Sequence, residues 1–410
     1  MRILIFGINY APELTGIGKY TGEMAEWLAN HNNEVCIITA MPYYPEWKTD
    51  ESYKGKLWHT EKINNVTINR VPIYIPKKVT SIKRVIHEFS FLISSLWFWF
   101  PLFFSKKYDI IFTISPPFHI GLIPIIYKKI KKNLLINHIQ DLQVDAAKDL
   151  GMIKNNFFLK IMFQIEHYIM EKSDFVSTIS EGMLNKISLK NISKSKIKLF
   201  PNWVDGNIIF PLDKKDSLIQ EFGFNENDKI ILYSGNLGEK QGLEIIIRVA
   251  EKFKKDHQIK FVICGSGGAK EKLLEQAKKS KSENIFFYPL QPYEKLSSLL
   301  ATADIHLVLQ KGSAADLVMP SKLTGILAAG GCSIVTAEPE TTLYDVITKN
   351  NIGVIAEPEN DLSLENAIKH CLTNDTSKIK DNARNYAEKY LDKEEILKNL
   401  NNFFLSKNKN

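Results

Sequence analysis

Apolar, strand-like runs alternate with amphipathic, helix-like runs from one end of this chain to the other, and that alternation limits what it can fold into more than any other feature. Candidate strands are Arg2–Asn9, Glu34–Ala40, Asp109–Ser115, Leu134–Ile139 and Phe175–Ile179. A second series is Ile230–Ser234, Ile259–Cys264, Ile285–Tyr288, Asp304–Leu309, Ser333–Ala337 and Gly353–Ala356. Several are continuous β-branched or aromatic runs, as expected of parallel strands covered on both faces. Between them, Met24, Trp27 and Leu28 recur at helical spacing, and in AKEKLLEQAKK the charges lie opposite Leu273 and Leu274. The alternation predicts doubly wound parallel sheets. At 410 residues the chain is too long for one ordinary core and suits two α/β domains.

The pattern pauses at Pro201-Asn202-Trp203-Val204-Asp205, after a strand-like run, Lys196–Phe200. Residues near 201–210 are therefore expected to form a hinge. The expected domains are 1–203 and 204–390, with 391–410 a carboxyl-terminal helix that packs back on the first domain. Residues 378–405 read as two helices.

Four cysteines, Cys36, Cys264, Cys332 and Cys371, lie far apart with no CxxC pair, so a zinc site is not expected. Cys36 and Cys264 lie in apolar runs and read as buried thiols in a reducing compartment. The start, MRILIFGINYAP, reads as a strand and a loop rather than a secretory signal, so a cytoplasmic protein is expected. The net charge of +7 is unevenly spread. Between Val66 and Tyr108 the only acid is Glu88, against Arg70, Lys77, Lys78, Lys83, Arg84, Lys106 and Lys107. Within this stretch, residues 89–104, FSFLISSLWFWFPLFF, carry no charge. That run is shorter than the roughly 20 residues a spanning helix needs. Segment 77–107 suits a helix lying in a membrane interface. The other reading is a helix buried in the first domain, and both can hold for different faces. The bases form no long stripe, so nucleic acid is not an expected partner.

The first strand leads into Pro12-Glu13-Leu14-Thr15-Gly16-Ile17-Gly18 and then a helix. Glycines admit a ligand close to the main chain, and a helix start offers unpaired N–H groups, so Gly16 and Gly18 form a candidate diphosphate cradle. Tight turning is their alternative use. Gly16, Gly18 and Gly22 hint at a dinucleotide oxidoreductase, but the loop is too long and EVCIITAM ends without a ribose-binding acid. In the second half, SGNLGEKQG at 234–242 and CGSGG at 264–268 each link a strand to a helix. The first carries Lys240, able to neutralise a phosphate. A third element, DLVMPSKL at 316–323, opens a helix ending in AAGG; Pro320 fits its first turn, and the N–H groups of Ser321, Lys322 and Leu323 would point at a ligand.

These elements in this order resemble the GT-B fold and glycosyltransferase family 4 over nearly the whole chain. GINYAPELTGIGKY, MPYYPEW, QDLQVDAA and LVMPSKL are similar to the colanic acid and O-antigen type of fucosyl- or N-acetylfucosaminyltransferase. The resemblance implies two Rossmann-like, doubly wound parallel-sheet domains facing a cleft. It implies that Gly16 and Gly18 approach the donor diphosphate and that Gly235, Asn236 and Lys240 lie at the phosphates. Gly265 and Gly267 would lie near the nucleotide, Leu290 at the base, and Pro320, Ser321 and Lys322 at the donor sugar. Asn236 stands where many relatives have arginine. Leu317 and Gly325 stand where relatives have a pair of glutamates, so Asp316 or Lys322 would have to substitute.

On the acceptor side, Asn137-His138-Ile139-Gln140-Asp141 ends a strand, with Gln140 where relatives place a histidine. Asp141 is the first candidate for accepting a proton or orienting a hydroxyl; capping a helix is its alternative. His138 shares its strand face, Glu13 is a second candidate, and Glu181 in TISEGM is a third that could equally cap a helix.

The expected function is transfer of a sugar, L-fucose or N-acetyl-L-fucosamine, from a UDP- or GDP-sugar to a lipid-linked saccharide in surface polysaccharide synthesis. No DxD motif offers a cation site, so no metal or other cofactor is expected. The rival readings are a sugar-nucleotide epimerase of the same shape and a non-catalytic nucleotide-sugar or glycan-binding protein.

Overall fold

The computed structural model describes the chain except residues 14, 15, 79, 150, 152, 154, 313–319, 409 and 410, and the side chain of residue 81. Two compact units emerge: Met1–Asn202 together with Glu395–Asn410, and Trp203–Glu394.

The first unit is built on eight strands: β1 Arg2–Phe6, β2 Glu34–Ala40, β3 His59–Ile63, β4 Val66–Val71, β5 Ile110–Ser115, β6 Leu134–Ile139, β7 Phe175–Thr178 and β8 Ile197–Leu199. Their order is β3-β4-β2-β1-β5-β6-β7-β8, and every neighbouring pair is parallel except β3 with β4. The β3–β4 hairpin is an addition to the expected strands. Its sequence, HTEKI and VTINRV, is too polar to read as a covered parallel strand. Asn64 and Asn65, both with positive φ, turn the chain between them, as a two-residue hairpin loop requires.

The basic aromatic segment forms one helix, Ser81–Leu102. It is longer than the uncharged run 89–104 implies, and Ile82–Leu102 is long and apolar enough to cross a membrane by length and composition. That corrects the length argument made from the charge-free stretch. The helix nonetheless has a core face: Phe91 and Trp99 are fully buried and lie 5.3 and 5.2 Å from the Phe6 ring. Each such aromatic contributes about 1.5–3 kcal/mol by burial. Ile82, Ile86, Phe89, Ile93, Leu96, Trp97 and Phe100 are exposed on other faces. The carboxyl-terminal helix Lys393–Asn408 brings Phe404 into this unit's core, 5.8 Å from Phe112.

The second unit holds β9 Lys229–Asn236, β10 Ile259–Ser266, β11 Ile285–Tyr288, β12 Ile305–Val308, β13 Ser333–Thr336 and β14 Val354–Ala356. All are parallel, in the order β11-β10-β9-β12-β13-β14. The expected two Rossmann-like parallel-sheet units are thus present. Val204 N–H donates to the Leu391 carbonyl at 2.8 Å, and Lys393 pairs with Asp205 at 2.9 Å. The linker and the start of the last helix are therefore tied together within this unit.

Strand order reverses between β1 and β5 in the first sheet and between β9 and β12 in the second. Crevices at the carboxyl ends of such strands are where open α/β sheets place ligands.

Candidate active site

In the second unit the glycines are needed by the main chain itself. Gly235 lies opposite Gly265 in the β9–β10 ladder, which continues to Asn236 opposite Ser266. Both strands therefore run two residues further than the apolar pattern suggests. A Cβ on Gly265 would overlap the Gly235 carbonyl oxygen, and one on Gly267 would lie 2.5 Å from the Leu237 carbonyl oxygen. Gly235 and Gly267 also have φ of +137° and +149°, backbone that side chains disfavour. Leu237 N–H donates to Ser266 and Ala269 N–H to Leu237, each at 2.8 Å, closing the two loops on each other. The result is two loops packed main chain to main chain beside the reversal point, with Asn236, Ser266, Gly267 and Gly268 exposed.

Asn236 is exposed, and its carbonyl accepts the Tyr233 hydroxyl at 2.7 Å. Lys240 is exposed on the following short turn, and its carbonyl accepts the Lys311 N–H at 3.0 Å, which joins the loops after β9 and β12. Leu290, half exposed, follows β11. Pro320 is not in the first turn but caps the helix Ser321–Ala328 from outside it, so Ser321 is the first helical residue. Lys322 turns its Nζ onto the Tyr233 ring, 3.7 Å from its centre. Gly235, Asn236, Gly265, Gly267 and Lys322 are thus gathered at the ends of β9 and β10. Of the two positions where relatives carry glutamate, Leu317 lies outside the described residues, as does Asp316. Gly325 sits inside the helix, where a Cβ would meet the methyl groups of Ile209 and Leu300 at 3.7 and 3.8 Å.

In the first unit Glu13 is buried after β1. Its Oε1 accepts the N–H groups of Tyr43 and Tyr44, both at 3.1 Å, and its Oε2 accepts from Asn9 at 2.9 Å. Burial raises its pKa against the pull of these donors. This carboxylate holds the loops after β1 and β2 together. Gly18 packs on it, since a Cβ there would lie 2.7 Å from the Glu13 Cβ. Gly16, at φ +60°, opens the helix Gly16–Asn30 with nothing within 4 Å of its would-be Cβ. Leu14 and Thr15 of this loop lie outside the described residues.

His138 is corrected as a catalytic candidate. It is buried between Phe112 and Phe200, with ring centroids 5.3 and 5.2 Å away. Its Nδ1 meets Ser177 Oγ at 2.9 Å, and its Nε2 meets Gln140 Nε2 at 3.0 Å. Burial lowers its pKa to about 3, so it is a neutral core imidazole. Asp141, half buried, follows at the end of β6. Glu181 opens the helix Glu181–Ser188, and Ser180, not Glu181, caps it.

One buried charged group at this end of the sheet escaped the sequence reading. Glu88 accepts two bonds from Gln143 Nε2, at 2.8 and 2.9 Å, and one from Arg84 at 3.1 Å. Gln143 Oε1 accepts the Phe118 N–H. The signal was available, since Glu88 is the sole acid in its basic stretch. Among the described residues no group of three metal-ligating side chains is found.

This arrangement defines a two-unit nucleotide-type α/β protein whose strand ends expose main chain. The family profile for glycosyl transferases group 1 matches residues 214–390. The chain is 40% identical to the Escherichia coli K12 protein described as "Putative colanic acid biosynthesis glycosyl transferase WcaI", covering 98% of this chain and 99% of that protein. It belongs to the group 1 glycosyltransferases and is a glycosyltransferase. Among solved structures, sucrose-phosphate synthase from Thermosynechococcus elongatus superposes with a TM-score of 0.74 at 15% identity, over 99% and 98% of the two chains. Anabaena HepE in complex with UDP-glucose gives 0.72 at 14% identity, over 99% and 100%. At these identities the two structures speak for the GT-B fold alone.

Proposed function

We propose that this enzyme transfers L-fucose or N-acetyl-L-fucosamine from a UDP- or GDP-sugar to a lipid-linked saccharide in the synthesis of a colanic acid-like surface polysaccharide. The observation that supports the polysaccharide part of this reading is the 40% identity, over 98% of the chain, with a relative named for colanic acid biosynthesis. It is supported by the exposed Asn236 and the exposed loop 266–268 at the reversal point of the second sheet. There a donor diphosphate would meet glycine N–H groups and Lys240. As the acceptor oxygen bonds to the anomeric carbon, the carbon–oxygen bond to the diphosphate breaks and its electron pair leaves with the nucleoside diphosphate. N–H groups and a lysine stabilise that charge without a metal or other cofactor. Asp141 takes the acceptor's proton.

An acceptor held in a lipid surface would reach a cytoplasmic enzyme docked there. The exposed Ile82, Ile86, Phe89, Ile93, Trp97 and Phe100, flanked by Lys77, Lys78, Lys83, Lys106 and Lys107, suit an interfacial helix. With Phe91 and Trp99 locked in the core, the helix lies on the bilayer rather than across it.

The test is a panel of UDP- and GDP-sugars scored for protection against thermal unfolding, followed by transfer to lipid-linked saccharides. GDP-fucose or UDP-N-acetylfucosamine should protect, and protection should vanish in Lys240→Ala. Release of a new sugar nucleotide without acceptor would replace this reading with an epimerase. Binding without turnover on any acceptor would replace it with a binding protein.

A further inference from the structure

The ammonium of Lys322 has no hydrogen-bond or ion-pair partner among the described residues, and its Nζ is closed off from solvent although the side chain's stem is partly exposed. Among the described residues, none of its neighbours shifts it by charge. It lies over the Tyr233 ring. The Tyr233 hydroxyl is committed to the Asn236 carbonyl, and burial raises its pKa, so it stays neutral. Gly235 is also close: a Cβ there would lie 3.4 Å from Nζ. A cation over an aromatic ring gains roughly 0.5–2 kcal/mol, whereas an ammonium taken out of water without a partner loses several. The imbalance persists in a native fold where a ligand supplies the missing anion.

Its position indicates which anion. Lys322 is in the first turn of the Ser321–Ala328 helix, whose leading N–H groups receive no side-chain cap. It abuts the strand end at Gly235, which pairs with Gly265 and lies one residue before the exposed and neutral Asn236.

We propose that Lys322 neutralises the donor diphosphate at the end of β9, supplying the charge that Asn236 does not carry, with Tyr233 as the platform that holds the ammonium in place. This rests on the donor-site reading given above. Burial alone lowers the Lys322 pKa to about 7, with no carboxylate or second cation among the described residues contributing. A fraction of the molecules is therefore neutral at rest, and anion binding draws in a proton.

The test is Lys322→Met, which keeps the length, removes an unpaired buried charge and is expected to fold at least as well as the parent. Wild type and variant are titrated calorimetrically with UDP, GDP, uridine and guanosine. The nucleoside diphosphate that the wild type binds should bind the variant about tenfold more weakly or worse, as for one lost charge-assisted contact, with nucleoside binding unchanged. In buffers of differing ionisation enthalpy, wild type should take up a fraction of a proton at pH 7.5 and the variant none. Equal diphosphate affinity in the two proteins overturns the inference while leaving the donor site standing. An equal loss for nucleoside and diphosphate overturns it in favour of a packing role. If the wild type binds neither diphosphate, the donor-site reading itself fails and takes this inference with it.

Discussion

Gln140 and Asn202 exchange two hydrogen bonds, Nε2 to Oδ1 and Nδ2 to Oε1, both 3.0 Å long. The pair fastens the residue after β6 to Asn202, the end of the first unit's amino-terminal segment, and Gln140 Nε2 also meets His138. Gln140→Leu leaves the amide of Asn202 and the imidazole Nε2 without their partners. The expected cost is about 1–3 kcal/mol, read as a lower urea midpoint with an unchanged slope. With Asp141 as the next residue, kcat should fall more than KM rises.

Four buried imidazoles are held neutral: burial lowers the pKa of His138 to about 3 and those of His119 and His306 to about 4, and it lowers that of His87 as well. The unfolded chain binds these protons near pH 6.5 and the folded chain does not, so the unfolded state carries more protons between those values. Stability is then complete above pH 6.5 and falls as pH drops from there towards 4. Urea unfolding at pH 7.5, 6.0 and 5.0 should show that slope. His306→Gln should make it shallower, and an unchanged slope would refute the assignment for that residue.

Gly265, near the end of β10, and Gly268, in the loop that follows, are a matched pair three residues apart. A Cβ on Gly265 would overlap the Gly235 carbonyl, whereas one on Gly268 meets nothing within 4 Å. Gly265→Ala should lose about 3 kcal/mol or fail to accumulate. Gly268→Ala should stay within about 0.5 kcal/mol of the parent. Thermal melts of the two side by side decide the point.

Lipid docking predicts that the protein co-sediments with vesicles containing anionic phospholipid. Replacing the exposed Ile93 and Phe100 with Glu should abolish sedimentation without shifting the melting temperature, since neither side chain is in the core. Salt should weaken binding in wild type, because the Debye length shrinks to about 8 Å at physiological ionic strength and screens Lys77, Lys78 and Lys83. Salt-independent binding would remove the electrostatic half of the proposal.

The parallel strands were legible in the sequence because a strand covered on both faces must be apolar at every position, a local property. For the same reason β3 and β4 were not: an edge hairpin that faces water has no such run, and its turn at Asn64-Asn65 depends on backbone conformation. The ends of β9 and β10 were set two residues short, since Gly235 and Gly265 look like loop until the ladder pairs them.

What the sequence by itself determined was the sequence of strands and helices, the glycine turns after β9 and β10, and the basic aromatic segment, all fixed by composition over short windows. Only the tertiary structure decided that His138 is enclosed between two phenyl rings and that Glu13 spends its carboxylate on Tyr43, Tyr44 and Asn9. It alone buried Glu88 with Gln143 and brought Lys322 onto Tyr233, some ninety positions away. Charge and hydrogen-bonding capacity belong to a side chain, but whether water, a ring or a backbone amide surrounds it is settled by residues distant in the chain. That surrounding sets its protonation and its freedom to act.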